Sequence, residues 1–375
     1  MHEAMLYGKL PGSRVRCNIC QWRCTIAPGK FGVCRVYQNR DGVLYNMNYA
    51  QASSVAADPI EKKPLFHFFP DTLALSLGGW GCNFHCQHCQ NWEISTPEGD
   101  EPWRGSQEVQ PQAAIELAKR YQCQGIAWTY NEPSIWFEYT LDSAKLAKEN
   151  NLYTVYVTNG YLTPEALDTI GPYLDAWRVD VKGFSDSFYR ELAKVTRWRG
   201  ILEVAKRAKA KWNMHVEVIT NIIPTMNDDD QQLEGIANWI RDELGELTPW
   251  HVTRFYPHHH MRHLPPTPIS TLEHAYDIGQ KAGLKFIYAG NVPGHKSENT
   301  TCYSCGKLIV ERFGYQTKVI GLEDSRCKFC GADMNMRTLG AKGGVIMIRN
   351  PVVSGQFYPE SPSQLKAMIE GWLMR

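Results

Sequence analysis

From about residue 73 to residue 290, short runs of β-branched and aromatic residues alternate with polar stretches in which Ala and Leu recur at helical spacing. This is the pattern of βα repetition. It predicts strands over 73–77, 125–130, 153–158, 177–181, 215–223, 251–255 and 286–288. Helices fill the intervals. The clearest spans 111–121, where Ala114, Leu117, Ala118 and Tyr121 make one apolar stripe, and Thr163-Pro164 and Asn227-Asp228 read as capped starts of two more. Such an order implies an α/β fold with a parallel sheet, open or curled into a partial barrel, and with its chemistry on loops at the strand C-terminal ends.

The flanks have another texture. The first 60 residues and the segment 297–334 are rich in Cys and Gly and poor in helical periodicity, so they read as small metal-stapled modules. Beyond them lies a Gly-rich stretch and then an amphipathic pattern over 362–372 with Leu365, Met368, Ile369 and Trp372. At 375 residues, with 43% hydrophobic and 21% charged residues, the chain has the composition of a folded globular protein rather than a disordered one or a coiled coil. Forty Lys plus Arg against 39 Asp plus Glu leave a net charge of +1, which disfavours nucleic-acid binding driven by phosphate neutralisation. No stretch is long and apolar enough to span a membrane, and the first 14 residues lack the core of a signal peptide. The expected location is the cytoplasm.

That location bears on the 12 cysteines, because reduced thiols are more often metal ligands than disulfide partners. Eleven fall into three sets: Cys17, Cys20, Cys24 and Cys34; Cys82, Cys86 and Cys89; and Cys302, Cys305, Cys327 and Cys330. Cys123 stands alone. The middle set lies in Gly78-Gly79-Trp80-Gly81-Cys82-Asn83-Phe84-His85-Cys86-Gln87-His88-Cys89, directly after the first predicted strand. A cubane iron-sulfur cluster normally takes four cysteines, so three leave one iron open for chemistry. The competing reading is a structural zinc loop whose fourth ligand is Cys123.

The Cys-x3-Cys-x2-Cys loop after the first barrel strand resembles the radical S-adenosylmethionine (SAM) family, over about residues 64–293. The resemblance implies a partial (β/α)6 barrel of the TIM type, with Cys82, Cys86 and Cys89 holding a [4Fe-4S] cluster whose fourth iron is chelated by SAM. It also implies reductive cleavage of SAM to a 5'-deoxyadenosyl radical that abstracts hydrogen from a protein, peptide or small molecule. Thr129-Tyr130-Asn131-Glu132-Pro133 occupies the place of the family's Gly-Gly-Glu-Pro turn, so Glu132 would accept from the cofactor's amino group. Asn131, also an expected cofactor-binding residue, departs from the double glycine. Thr158-Asn159-Gly160 and Asp180-Val181-Lys182 resemble the strand ends of glycyl-radical-enzyme activases, which makes Thr158, Asn159, Asp180 and Lys182 expected cofactor contacts. Val157 replaces an aspartate of those activases. Val218 to Asp228 resembles the family's fifth strand and loop. No catalytic side chain is assigned.

Three further stretches, Asp58 to Phe68, Cys89 to Ser95 and Asn291 to His295, resemble the radical SAM member of the AmmeMemoRadiSam system, a pyruvate formate-lyase-activating-enzyme-like group that carries both flanking cysteine sets. Ile348 to Pro359 looks like the opening of a Memo protein. The implied partners are an electron donor such as flavodoxin or ferredoxin and Memo-type and AMMECR-type proteins, with no membrane and no nucleic acid. Four domains follow: 1–62, the N-terminal Cys-rich module; 63–295, the radical SAM barrel; 296–338, a zinc-ribbon-like module; and 339–375, a Memo-like fragment or docking tail.

The paired knuckles Cys302-x2-Cys305-Gly306 and Cys327-x2-Cys330-Gly331 suit closed tetrahedral zinc. Cys17, Cys20, Cys24 and Cys34 are less regular and suit zinc or an auxiliary iron-sulfur cluster. His258, His259, His260 and His263 crowd a Pro-flanked loop and read as solvated or substrate-facing. Against the radical enzyme stands an RNA- or protein-binding zinc ribbon with a non-catalytic barrel, which the cysteine triad, Glu132 and Lys182 argue against.

Overall fold

The computed structural model describes residues 1–99 and 101–339. The Memo-like stretch and the amphipathic pattern after it lie outside them. The seven predicted strands all form, as β2 Leu73–Gly78, β3 Gly125–Trp128, β4 Tyr153–Thr158, β5 Ala176–Asp180, β6 His215–Ile222, β7 Trp250–Arg254 and β8 Ile287–Gly290. Each pairs in parallel with the next. An eighth strand, β1 Ser54–Pro59, escaped the periodicity reading and runs antiparallel along β2. The sheet is open, with β1 and β8 at its edges. Six strand-plus-helix units followed by a seventh parallel strand make the partial (β/α)6 barrel.

The longer helices are α1 Pro111–Arg120, α2 Phe137–Glu149, α3 Pro164–Ile170, α4 Arg199–Trp212, α5 Asp230–Trp239 and α6 Ile269–Lys281. Thr163 caps α3 by accepting from the amide of Ala166. Asn227-Asp228 does not start α5. Asp229 is the cap, accepting from Gln232 N–H at 3.0 Å, because Asn227 is buried and committed elsewhere. Its Oδ1 accepts from Ile223 N–H at 2.6 Å and its Nδ2 donates to the Lys182 and Asn221 carbonyls. The side chain thus ties the β6 end to the β5 end.

Strands buried on both faces explain the nearly continuous apolar runs of the sequence, since helices cover one side and barrel contents the other. The N-terminal residues form two small antiparallel sheets, one ordered His2–Glu3, Val43–Asn46, Tyr37–Arg40 and the other Tyr7–Leu10, Arg14–Cys17, Thr25–Ile26. Their core is continuous with the barrel core. The C-terminal cysteine segment packs through Met334 and Met336 on Phe286 and Tyr288, near the strand N-termini. Among the described residues no helix is long and apolar enough to cross a membrane.

Candidate active site

Strand β2 ends at Gly78 and the chain turns at once into the loop bearing Cys82, Cys86 and Cys89. One side chain clasps that turn: Asn131 accepts from Gly79 N–H at 3.1 Å and donates to the Gly81 carbonyl at 2.8 Å. A glycine at 131 could do neither. The left-handed backbone conformation falls on Tyr130 instead, at φ +73°, which bulky residues avoid unless held. Tyr130 is held from both ends, its hydroxyl donating to Asp58 at 2.7 Å and its carbonyl accepting from Asn91 Nδ2 at 2.6 Å. Gly81, at φ +82°, needs to be glycine for a second reason, since a Cβ there would stand 2.5 Å from the Cys34 carbonyl oxygen.

The three thiols are half-buried. Removal from water pushes Cys86 up to about 12 against the opposing pull of the Lys182 ammonium, and pushes Cys82 well above its ordinary value with help from the Glu132 charge. Such thiols ionise readily only beside a cation, and an iron cluster supplies one. Phe84 N–H and Asn159 Nδ2 point at the Cys82 sulfur, at 3.3 and 3.8 Å. Cys123 is no fourth ligand. It lies buried just before β3, with its thiol 3.9 Å from the Tyr121 carbonyl, at the end of the sheet opposite the cysteine loop.

Glu132 is fully buried at the C-terminal ends of β3 and β4. Its Oε1 accepts from Ser134 N–H at 2.9 Å and from the Thr158 hydroxyl at 2.7 Å; its Oε2 accepts from Asn159 N–H at 2.7 Å. A carboxylate offers about four acceptor positions, so one remains. No cation among the described residues pairs with it, and burial raises its pKa. The Glu-Pro turn and the Thr-Asn-Gly turn are therefore one hydrogen-bonded unit facing the cysteine loop, with room for one more donor, preferably charged.

Asp180 and Lys182 do share the barrel mouth, but they meet each other: Lys182 Nζ is 2.9 Å from Asp180 Oδ2, and Arg178 pairs with Oδ1. The two cations hold the Asp180 carboxyl below its usual range despite burial, while Asp180 raises Lys182. Arg178 was not singled out from sequence, although it sits two residues before Asp180 and so on the same strand face. Below them, buried Lys63 and half-exposed Lys62 both reach Asp58. Burial drops Lys63 to about 8. His88, inside the cysteine loop, is buried with Nδ1 unpartnered and its pKa pushed down to about 3 by burial and by Lys182. Neither His88 nor buried Asn83 carries a signal that the cysteine spacing reveals.

Of the histidine run, His260 donates its amide to the Gln87 carbonyl at 3.0 Å and His259 stacks on Trp92 with ring centres 5.1 Å apart. They line a surface cleft with His85, Gln87, Thr96 and Lys194, beside the cysteine loop.

In the C-terminal set, Cys302 Sγ lies 3.6 Å from Cys330 Sγ and Cys305 Sγ 3.7 Å from Cys327 Sγ, with all four sulfurs within 4.8 Å of one another. Metal-sulfur bonds of about 2.3 Å in tetrahedral array give sulfur edges of about 3.8 Å. This is the geometry of one ion with no open position. Gly306 and Gly331 each donate back to the carbonyl of the first cysteine of their knuckle, both at 2.8 Å.

Comparison with known proteins agrees with the geometry. Residues 79–240 match the family profile of the Radical SAM superfamily. An uncharacterized protein of Methanocaldococcus jannaschii is 45% identical over 339 residues, covering 90% of this chain and 99% of the relative. The pyruvate formate-lyase-activating enzyme of Clostridium pasteurianum is 24% identical over 188 residues, 46% of this chain and 72% of that protein. Among solved structures, a radical SAM methyltransferase from Sphaerobacter thermophilus aligns with a TM-score of 0.45 at 16% identity, over 64% of this chain and 71% of that one.

Proposed function

The chain belongs to the Radical SAM superfamily, and on that premise we propose that it is an activating-enzyme-like oxidoreductase that binds a [4Fe-4S] cluster on Cys82, Cys86 and Cys89 and SAM beside it. The observation that carries this reading is the pairing of a three-thiol loop with a buried carboxylate that has one acceptor position left. When bound, cluster and SAM supply one-electron cleavage of the sulfonium and a 5'-deoxyadenosyl radical that removes hydrogen from a protein, peptide or small-molecule substrate.

The chain's own residues bind and orient. Glu132 takes the amino group of SAM at its remaining acceptor position, with Thr158 and Asn159 holding the carboxylate in place. Asn131 fixes the backbone that presents the thiols. Lys182 and Arg178, steadied by Asp180, offer positive charge to the carboxylate of SAM or of substrate. The C-terminal cysteines hold zinc that staples the fold, because four thiolates at single-ion spacing leave nowhere for substrate. A flavodoxin or ferredoxin supplies the electron. Resemblance to the AmmeMemoRadiSam system supports Memo-type and AMMECR-type partners, and 12 free cysteines accord with a reducing compartment such as the cytoplasm.

The test is anaerobic reconstitution with SAM and a low-potential reductant, followed by assay for 5'-deoxyadenosine. Product is expected from the wild type and not after replacing Cys82, Cys86 and Cys89 together with Ala, which should also remove about four iron per chain. A triple variant that keeps all its iron would overturn the assignment.

A further inference from the structure

The cysteines of the N-terminal module line one cavity, walled by Ile19, Ile26, Val33 and Ile135. Cys17, Cys20 and Cys34 are buried and Cys24 is half-buried. Four thiols round one mostly apolar cavity are placed to share one metal centre. Their spacing differs from that of the C-terminal set. Among the described residues, Cys302, Cys305, Cys327 and Cys330 are the one group of three or more ligating side chains whose ligand atoms all lie within 4.8 Å of one another. Neither the N-terminal cysteines nor Cys82, Cys86 and Cys89 form such a group. One tetrahedral ion needs edges of about 3.8 Å, whereas in a cubane each thiolate takes its own iron and the sulfurs are separated by the cluster.

Placement adds an independent observation. The module is locked onto the barrel's cysteine loop: Trp22 Nε1 donates to the Asn83 carbonyl at 2.7 Å, and the Cys34 carbonyl fills the space that a side chain at Gly81 would need. Asn83, fully buried and adjacent in sequence to Cys82, accepts from Asn159 Nδ2 at 2.7 Å. Its own Nδ2 has no hydrogen-bond partner, and its Oδ1 lies 3.9 Å from the Cys82 sulfur. A buried amide donor left without a partner beside the cysteine loop is one that a bound group can satisfy.

We propose that Cys17, Cys20, Cys24 and Cys34 hold a second iron-sulfur cluster, of the [4Fe-4S] type, separated from the barrel cluster by the Asn83 side chain. This rests on the reading of Cys82, Cys86 and Cys89 as the first. In that position it serves as the entry point for the electron: it takes one electron from a flavodoxin-class carrier, passes one to the barrel cluster and returns to its oxidised state, with no bond made and no proton moved.

The test uses full-length protein, anaerobically reconstituted with iron and sulfide, as wild type and as the Cys82→Ala/Cys86→Ala/Cys89→Ala variant. Wild type should hold about eight iron and the variant about four, and the dithionite-reduced variant should still show the electron paramagnetic resonance of a reduced cluster. In reduced wild type the two neighbouring spins should broaden or split each other's signals. A variant with no iron and two zinc per chain would overturn the second cluster while leaving the first intact. Equal iron in the two proteins would overturn the first. Eight iron with two uncoupled signals would overturn the adjacency.

Discussion

Two of the buried carboxylates, Glu217 and Glu132, lie near opposite ends of the barrel and are finished differently. Glu217, near the strand N-termini in β6, has all its acceptor positions filled: Phe66 N–H at 3.1 Å, His67 N–H at 2.8 Å, His215 Nε2 at 2.9 Å and His251 Nε2 at 2.6 Å. Despite burial, these donors hold its carboxyl well below the usual range, and burial keeps both imidazoles low. Around it, His67 bonds to Tyr288 and Arg312 lies over Phe66, so the C-terminal module closes this end. Glu132, at the other end, has three neutral donors, no paired cation among the described residues and a raised pKa. A saturated buried carboxylate is a fastening. One left short of a donor in a buried site is a socket, because its desolvation is compensated only when a cation arrives.

The largest expected effect follows from breaking the fastening. Glu217→Ala strands two backbone amides and two imidazoles without their acceptor, and at about 1–3 kcal/mol for each unsatisfied buried group it should destabilise the apo protein by at least about 3 kcal/mol in urea denaturation. The fraction that stays folded should bind SAM as wild type does. Weakened SAM binding with unchanged stability would reverse the roles assigned to the two carboxylates.

Next is Asp58, whose loss leaves Lys63 buried without a counter-charge. Asp58→Ala should cost about 3–5 kcal/mol by the general rule for breaking a buried pair, reduced here because Lys62 is half-exposed and Lys63 can lose its proton. With Lys63 near 8 in the native state and higher when unfolded, the unfolded chain binds more protons between those values. Stability should therefore rise with pH across that window in wild type, and in the variant the rise should begin at lower pH, because Asp58 no longer holds the Lys63 proton.

Glu132→Gln keeps the shape of the socket and removes its charge. It should weaken SAM binding by about one to two orders of magnitude, the equivalent of a charged hydrogen bond worth about 1.5–3 kcal/mol, with iron content unchanged. Calorimetry or equilibrium dialysis with SAM decides it. Wild-type affinity in this variant would show that the open position is not where the amino group sits.

The smallest effect is a difference in pH slope. Glu217 has a depressed native pKa, so its contribution to stability is present above the unfolded value and is lost as pH falls through the native one. Glu132 has a raised native pKa, so the native state binds the extra proton and stability falls as pH rises between the unfolded and native values. Adding SAM should flatten the second slope, since a bound cation lowers that pKa. Wild-type-minus-variant slopes of the same sign for Glu217→Gln and Glu132→Gln would contradict the comparison.

Local pattern was enough for the strands, because their side-chain period and their Gly and Pro punctuation are encoded within a few residues; each of the seven parallel strands lies within about two residues of where the pattern puts it. The cysteine loop was legible for the same reason, its three ligands falling within eight consecutive residues. Two of the differences are those of a neighbour from elsewhere taking over a local signal: Asn227 looks like a helix cap but is consumed by the Lys182 and Asn221 carbonyls, and Asn131 looks like a misplaced glycine but clasps Gly79 and Gly81.

The sequence by itself determined which chemistries the chain can carry, since thiol number and spacing limit the metal sites, and it determined the order of the strands. Only the tertiary structure decided which groups are satisfied. Whether Glu132 has three donors or four, whether Lys182 faces a ligand or Asp180, and whether four sulfurs stand at single-ion distance or farther apart depend on segments tens to hundreds of residues distant, such as His67 against Tyr288 and Trp22 against Asn83. Burial sets the cost of each unpaired group, and burial is a property of packing that no short stretch of sequence contains.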